Sequence, residues 1–430
     1  MQSPIEAILS KLRNKAILVL GFGREGKSTL RFLQQWLPEN KVLIADLNTP
    51  DSQTSPELSG LQVFSGANYL ESCRLADVII KSPGIPGRLI QLSANQTLSS
   101  QTDLFLEAYR SQTIGITGTK GKSTTSSLIH HLLTASGIHS ILTGNIGIPC
   151  FDILADIRPD SKVVFELSAN QLEFSTHSPS IGVLLNVFEE HLDHFLTLEA
   201  YRKAKLNLVL NGIKDDQIII HHTLLPFVAN SQATIQTIPN KQFDAAFDLK
   251  LKGEHNQLNA QAALLAAMAA GAEYPDLLSA LSTFSGLPHR LEYLGKHGGL
   301  HFYNDSISTI PEAAVAALKT LPDTNYLILG GFDRGIHYDL LVNFLLTNPV
   351  KQVFLTGEAG KRIGRMLESA GHKGIVISYF DDLHEVFQQL KTTGKSGELC
   401  LLSPAAASYD RYKNFEHRGD VFRTLALNFS

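Results

Sequence analysis

At 430 residues with a formal net charge of −4, the chain has the length of two to four domains and none of the basic excess that marks a nucleic-acid partner. Its three cysteines, Cys73, Cys150 and Cys400, form no C-x-x-C pair. That excludes a zinc ribbon or a disulfide framework and fits a reducing cytoplasm. The apolar stretch 262–272 is too short to cross a bilayer, and the first residues lack the apolar core of a signal peptide.

Up to about residue 100, apolar runs at 16–20, 42–45, 62–64 and 78–81 alternate with polar helical segments, a parallel α/β pattern. Gly21-Phe22-Gly23-Arg24-Glu25-Gly26-Lys27-Ser28 follows the first run. It spells both a P-loop and a G-x-G-x-x-G fingerprint, and Asp46 lies about 20 residues on, where that fingerprint places a ribose-binding acid. Ser82-Pro83-Gly84-Ile85-Pro86-Gly87 after the fourth run predicts a rigid loop at the carboxyl edge of the sheet. Residues 102–109 read as a helix.

An extended run at 112–114 leads into Gly115-Ile116-Thr117-Gly118-Thr119-Lys120-Gly121-Lys122-Ser123-Thr124-Thr125, with a helical pattern behind it at 126–135. A glycine loop between strand and helix offers backbone N–H groups to phosphate; Lys122 adds a cation and Ser123 a hydroxyl for Mg²⁺. The strict expression asks for glycine at 116, where isoleucine stands, so residues 21–28 match the spelling better. Two phosphate-type loops predict two different nucleotide ligands. Strands are expected at 113–116, 163–167, 181–185 and 217–221, and an alanine-rich helix at 260–271.

Glu166, at the end of its strand, stands where a Walker-B acid would hold the metal; the plain alternative is an edge acid facing solvent. The amides at 168–172 could orient phosphate. Residues 186–194 gather Glu189, Glu190, His191, Asp193 and His194 after another β-run, which also reads as a solvated helix start. Tyr201 and Lys205 share one helix face. Asn256 and Asn259 either face an adenine or ribose or cap their helix.

Near residue 287 the pattern changes again, with strands expected at 300–303, 325–329, 352–355, 374–378 and 398–402. Loops at 304–306, 330–335 and 403–408 end three of them, followed by Asp410, Lys413, Asn414, Phe415 and Arg418. Several such loops on one sheet edge favour a binding face. The expected architecture is α/β with three domains: a Rossmann-like unit at 1–109, a central P-loop ATPase-like unit at 110–286 and a Rossmann-like C-terminal unit at 287–430.

Taken together, Thr117-Gly118-Thr119-Lys120-Gly121-Lys122-Ser123-Thr124, Gly144-Asn145-Ile146-Gly147, Glu166-Leu167-Ser168, His191…Asp193, Tyr201-Arg202…Lys205, His255-Asn256…Asn259 and His289-Arg290 resemble, in order, the motifs of the Mur ligase family of peptidoglycan synthesis. The resemblance covers nearly the whole chain and accounts for Ile116 as a family variant. Ser82-Pro83-Gly84-Ile85, Gly330-Gly331…Arg334-Gly335 and Ser403-Pro404-Ala405…Phe415 are closest to the branch that adds D-glutamate. It implies a cytoplasmic monomer, without nucleic acid or membrane, acting on UDP-N-acetylmuramoyl-L-alanine, D-glutamate and ATP. ATP would phosphorylate the substrate carboxylate, and the amine would attack the acyl phosphate.

The resemblance also implies site roles. Gly118, Thr119, Lys120, Gly121, Lys122, Ser123 and Thr124, with Asn256, Asn259, Arg290 and Asp305, would hold ATP. Ser123, Glu166, His191 and Lys205 would serve two Mg²⁺ ions, Lys205 as a carbamate, and Lys122, His191 and Lys205 would be catalytic. Gly23, Arg24, Glu25, Asp46, Ser82, Pro83, Gly84, Asn145 and His191 would hold the UDP substrate, and Arg334, Ser408 and Phe415 the D-glutamate. The C-terminal domain is expected to close on the central one. The chain departs from the pattern at three places: Ile307 and Arg334 stand where lysine is common, and Arg24-Glu25 replace smaller or apolar residues. Sibling ligases and folylpolyglutamate synthetase are the nearest rivals, the latter lacking the first hundred residues. An NAD-dependent dehydrogenase would leave Lys122-Ser123, Glu166 and the His191 cluster without a role, and a non-catalytic P-loop switch would bind nucleotide without amide formation.

Overall fold

The computed structural model describes residues 3–50, 55–145, 147–239, 254–284 and 286–430. The chain divides into two compact units, whose described residues are 3–239 with 254–284, and 286–430. The first unit carries two sheets. Strands β1 (Ile17–Leu20), β2 (Val42–Asp46), β3 (Gln62–Ser65), β4 (Val78–Lys81) and β5 (Thr97–Ser99) form a parallel sheet in the order β3-β2-β1-β4-β5. Central β1 is buried along its whole length, as a strand covered on both faces must be. Helices α1 (Pro4–Leu12), α2 (Arg24–Trp36) and α3 (Gln101–Tyr109) belong to this part. Ser3 caps α1 and Ser100 caps α3 through side-chain oxygens that accept N–H bonds.

The second sheet contains β6 (Thr113–Thr117), β7 (Ser140–Gly144), β8 (Lys162–Glu166), β9 (Ile181–Leu184), β10 (Gln217–Ile220) and β11 (Thr234–Thr237), all parallel, in the order β11-β10-β9-β6-β8-β7. Its helices are α4 (Lys122–Ala135), the short α5 (Ala169–Leu172) and α6 (Leu192–Phe195), α7 (Leu198–Leu210), α8 (Glu254–Ala269) and α9 (Tyr274–Thr283). Alanines at 260, 262, 263, 266 and 267 let α8 pack closely on α4. One apolar cluster runs through both sheets of this unit, with Phe105 edge-on to Phe165 and Phe32 against Phe151.

The second unit holds β12 (Glu292–His297), β13 (Leu300–Asn304), β14 (Thr324–Gly330), β15 (Gln352–Thr356), β16 (Val376–Phe380) and β17 (Leu399–Leu402) in the order β12-β13-β17-β14-β15-β16. Only the β12–β13 pairing is antiparallel, a hairpin turned by Gly298 and Gly299, both at positive φ. Helices α10 (Pro311–Thr320), α11 (Asp339–Thr347) and α12 (Gly357–Ser369) pack into one apolar cluster, and α13 (Leu383–Thr393) and α14 (Phe415–Leu427) into another.

Three α/β sheets match the expected fold class, and four strands are additions to it. β5, β7, β11 and β12 are too polar or too short to give an apolar run, and each closes or extends a sheet edge. β6 runs one residue past the expected 113–116, to Thr117, and α4 starts at Lys122 rather than at 126. β6 is buried along its whole length, and the serines and threonines that open α4 carry no apolar periodicity to mark its start. No helix among the described residues is long and apolar enough to cross a membrane.

Candidate active site

The β6–α4 connection is the four-residue loop Gly118–Gly121. Gly121 sits at φ 87°, and a Cβ there would meet Asn259 Oδ1 at 2.4 Å, so both backbone and packing require glycine. Asn186, after β9, clamps the loop. Its carbonyl accepts from Thr119 N, its Oδ1 accepts from Lys120 N at 2.9 Å, and its Nδ2 donates to Lys120 O at 3.0 Å. Lys120 Nζ pairs with Glu190 at 2.6 Å. Lys122 Nζ folds over the loop to the carbonyls of Gly118 and Thr119, both at 3.0 Å. Ser123 and Thr124 open α4, where unpaired helical N–H groups and the positive dipole end favour anions.

Beneath the loop lies Lys205 on α7, 1% exposed. Its Nζ donates to Gly118 O at 2.9 Å and lies 4.7 Å from the centroid of the Tyr201 ring. Burial, aided by the charge of Lys122, pushes its pKa down to about 7. Lys205 is therefore a buried amine that can lose its proton near neutral pH. Tyr201 OH meets Thr119 Oγ1 at 3.2 Å, and His191, at φ 57°, places its half-exposed ring 5.9 Å from that of Tyr201.

Glu166 ends β8 in register with Ile116 of β6, at the same edge as the glycine loop. It is fully buried, not a solvent-facing edge acid. Oε1 accepts from Asn145 Nδ2 at 2.8 Å, while Oε2 is buried with no hydrogen-bond partner. An unmatched buried carboxylate oxygen costs free energy unless a cation or donor meets it, so this donor set fits Mg²⁺. Among the described residues no three His, Cys, Asp or Glu side chains form a metal-binding group. Asn256 and Asn259 lie within α8, whose start adjoins residues outside the described ones, and Asn259 Nδ2 donates to Asn256 Oδ1 at 3.0 Å.

The first glycine loop is closed on itself. Phe22 N donates to Asp46 Oδ2 at 2.7 Å, Ser82 Oγ donates to Gly21 O at 2.8 Å, and a Cβ on Gly26 would lie 2.0 Å from Gly21 O. Lys27 Nζ donates to Ser55 Oγ at 3.1 Å. Gly23 caps α2, so Arg24 and Glu25 are its first helical residues; Pro83 and Gly84 continue from Ser82. Arg24 NH1 donates to Gly147 O at 2.9 Å, and Glu25 Oε1 accepts from Gln171 Nε2 at 2.7 Å. Burial raises the Glu25 carboxyl to about 6. Lys81, 3% exposed, pairs with Glu173 at 3.4 Å; only its place at the end of β4 marks it in the sequence.

In the second unit, the loops after β13, β14 and β17 share one sheet edge because these strands are parallel neighbours. Asp305 is 3% exposed; its carboxylate accepts from Leu291 N at 3.1 Å, Ser403 Oγ at 2.8 Å and Ser308 Oγ, and burial raises its pKa to about 6. Arg290 has a buried Nε without a partner. Arg334 is exposed and donates to Thr309 O at 2.6 Å; Ser408 is buried; Phe415 opens α14 and accepts from Ser306 Oγ at 2.8 Å through its carbonyl. Arg418 joins all three loops: its guanidinium donates to Ser306 Oγ and O, and to the carbonyls of Gly330, Ala406 and Ala407. In the sequence it shows only as one of the residues following the 403–408 loop. The nucleotide contacts expected at Arg290 and Asp305 thus belong to a different unit from the glycine loop.

Comparison with known proteins agrees with this geometry. The profile of the Mur ligase middle domain matches residues 116–230, and that of the Mur ligase glutamate ligase domain matches residues 289–406. The UDP-N-acetylmuramoylalanine–D-glutamate ligase of Geobacillus kaustophilus is 34% identical, over 95% of this chain and 97% of its own length. The enzyme of the same name from Ruminiclostridium cellulolyticum is 30% identical over the whole of both chains. Among solved structures, UDP-N-acetylmuramate-alanine ligase of Thermotoga maritima superposes with a TM-score of 0.56 at 17% identity, covering 95% of this chain and 98% of its own. The MurF ligase of T. maritima in complex with ADP has a TM-score of 0.56 at 16% identity, covering 98% of this chain and 97% of its own. These two show a common fold. With whole-length relatives at this identity, the chain belongs to the Mur ligase family and is an enzyme of the ligase class.

Proposed function

We propose that this ligase joins D-glutamate to UDP-N-acetylmuramoyl-L-alanine in the cytoplasm, as a monomer, using ATP and Mg²⁺ through an acyl phosphate. The observation that carries the ATP-dependent chemistry is the meeting, at the carboxyl edge of the second sheet, of a glycine loop, two lysines and a buried carboxylate oxygen without a partner. A carboxylate and an ammonium do not condense in water; converting the carboxylate to an acyl phosphate supplies the leaving group. The enzyme's task is to place two anions together and neutralise the charge that develops.

In this reading, residues 1–109 take the UDP substrate, 110–286 ATP, and 287–430 the amino acid. Gly118 to Thr124 present N–H groups to the phosphates, and Lys122 moves from its own carbonyls to the γ-phosphate. Asn256, Asn259, Arg290 and Asp305 complete the nucleotide contacts. Ser123, Glu166 and His191 would hold Mg²⁺, which when bound screens phosphate charge. With its pKa lowered to about 7, Lys205 has a substantial neutral fraction that could take up CO₂ with release of a proton, and the carbamate would make it an oxygen ligand. The backbone at Gly23, Arg24 and Glu25, with Asp46, Ser82, Pro83, Gly84, Asn145 and His191, receives the UDP substrate. Arg334, Ser408 and Phe415 receive D-glutamate, with Arg334 presenting a planar fork where a lysine would present a point charge. The test is ADP release with UDP-N-acetylmuramoyl-L-alanine and a panel of amino acids that includes both glutamate enantiomers. ADP formed with D-glutamate alone supports the reading. ADP formed with another amino acid corrects the substrate, and NADH formation without ATP overturns the reading.

A further inference from the structure

Arg24 and Glu25 stand side by side at the start of α2, where smaller or apolar residues were expected to face the UDP substrate. Their side chains reach two different turns of the second sheet, and those turns flank Glu166. Arg24 NH1 donates to Gly147 O at 2.9 Å. Gly147 closes the turn after β7, its N–H donating to Gly144 O, and that turn carries Asn145. Asn145 is bonded twice to Glu166: its N donates to Glu166 O at 3.0 Å and its Nδ2 to Glu166 Oε1 at 2.8 Å.

Glu25 reaches the other side. Its Oε1 accepts from Gln171 Nε2 at 2.7 Å, and Gln171 Oε1 in turn accepts from Ser168 N at 2.9 Å and Ser168 Oγ at 3.0 Å. With Ser168 Oγ accepting from Gln171 N, this is a reciprocal capping box that fixes the chain two residues beyond Glu166. Both amide ends of Gln171 are thereby occupied, so Glu25 sets its rotamer.

We propose that Arg24 and Glu25 are positioning residues: they couple the first glycine loop to Glu166 by holding the two turns on either side of that carboxylate. The inference rests on the reading of Glu166 as a metal-holding acid. Groups that orient a ligand from outside the coordination sphere typically change metal affinity by about 10–100-fold. Acting one step further out, each of these side chains is expected to contribute at the low end of that range.

The test compares R24A, R24K, E25A and E25Q with the full-length wild type. Lysine keeps a donor for Gly147 O, and glutamine keeps an acceptor for Gln171. Two measurements are made: hydrogen exchange of peptides covering 144–149 and 166–172, and Mn²⁺ affinity by electron paramagnetic resonance with a non-hydrolysable ATP analogue. The expected result is faster exchange at 144–149 in R24A and at 166–172 in E25A. Each alanine variant should also bind Mn²⁺ about tenfold more weakly, with R24K and E25Q restored to within about threefold. Faster exchange with unchanged Mn²⁺ affinity would overturn the proposal and leave the metal reading standing. Failure of the conservative variants to restore affinity would also overturn it. Absence of Mn²⁺–nucleotide binding in the wild type would overturn both.

Discussion

The two glycine loops of the first unit differ in what surrounds them more than in their spelling. Residues 21–28 match the P-loop expression letter for letter, yet Gly21 O, Phe22 N and Lys27 Nζ are bonded to Ser82, Asp46 and Ser55. Residues 118–123 break the expression at Ile116, which is a strand residue, and are enclosed by Lys205, Asn186, Asn259 and the Glu166 edge. Glycine spacing alone provides only the seat; what favours residues 118–123 for a triphosphate is the pair of lysines and the unmatched carboxylate oxygen beside them.

The largest expected effect separates the loops by their lysines. Lys122→Ala should lower ligation turnover by about two orders of magnitude or more, the scale of one preorganised charge contact, with the fold intact by circular dichroism. Lys27→Ala should stay within about threefold in the same steady-state assay, since surface substitutions typically shift energies by under about 0.5 kcal/mol. Equal losses in the two variants would dissolve the distinction. Next, Glu166→Gln should raise the Mg²⁺ concentration for half-maximal rate by at least about tenfold, and a magnesium titration that overlays the wild type would remove the metal role.

Lys205 offers a smaller, pH-dependent effect. Its folded pKa of about 7 lies below its ordinary 10.5, so the unfolded chain binds more protons across that interval. Stability should therefore rise with pH from about 7 to 10.5, by up to a few kcal/mol, and the penalty should be complete below pH 7. Urea unfolding at pH 7 and pH 9 should show this rise in the wild type and a flatter profile in Lys205→Met. An unchanged slope would contradict the lowered pKa of the buried Lys205 amine.

Apolar runs made most of the parallel strands readable, because strands covered on both faces are written in Val, Ile and Leu. Edge strands such as Thr234–Thr237 and Glu292–His297 carry polar faces, and nothing local marks them. Glu166, Lys122, Asn259 and His191 were found through motif order, which identifies residues without saying what they touch. Burial of Lys205, the orphaned oxygen of Glu166 and the three-loop clamp of Arg418 arise from long-range packing, so no window of sequence carries them. Arg24 and Glu25 showed only as departures from a pattern, and their partners lie more than a hundred residues away.

The division of labour between the two loops is tested most directly by calorimetric binding of an ATP analogue with Mg²⁺, and separately of UDP-N-acetylmuramoyl-L-alanine, to Lys122→Ala and Lys27→Ala. The account predicts that Lys122→Ala weakens the ATP analogue by at least about tenfold while the UDP substrate binds as in the wild type, and that Lys27→Ala leaves the ATP analogue unaffected. Loss of ATP-analogue binding in Lys27→Ala, with Lys122→Ala unchanged, would contradict it.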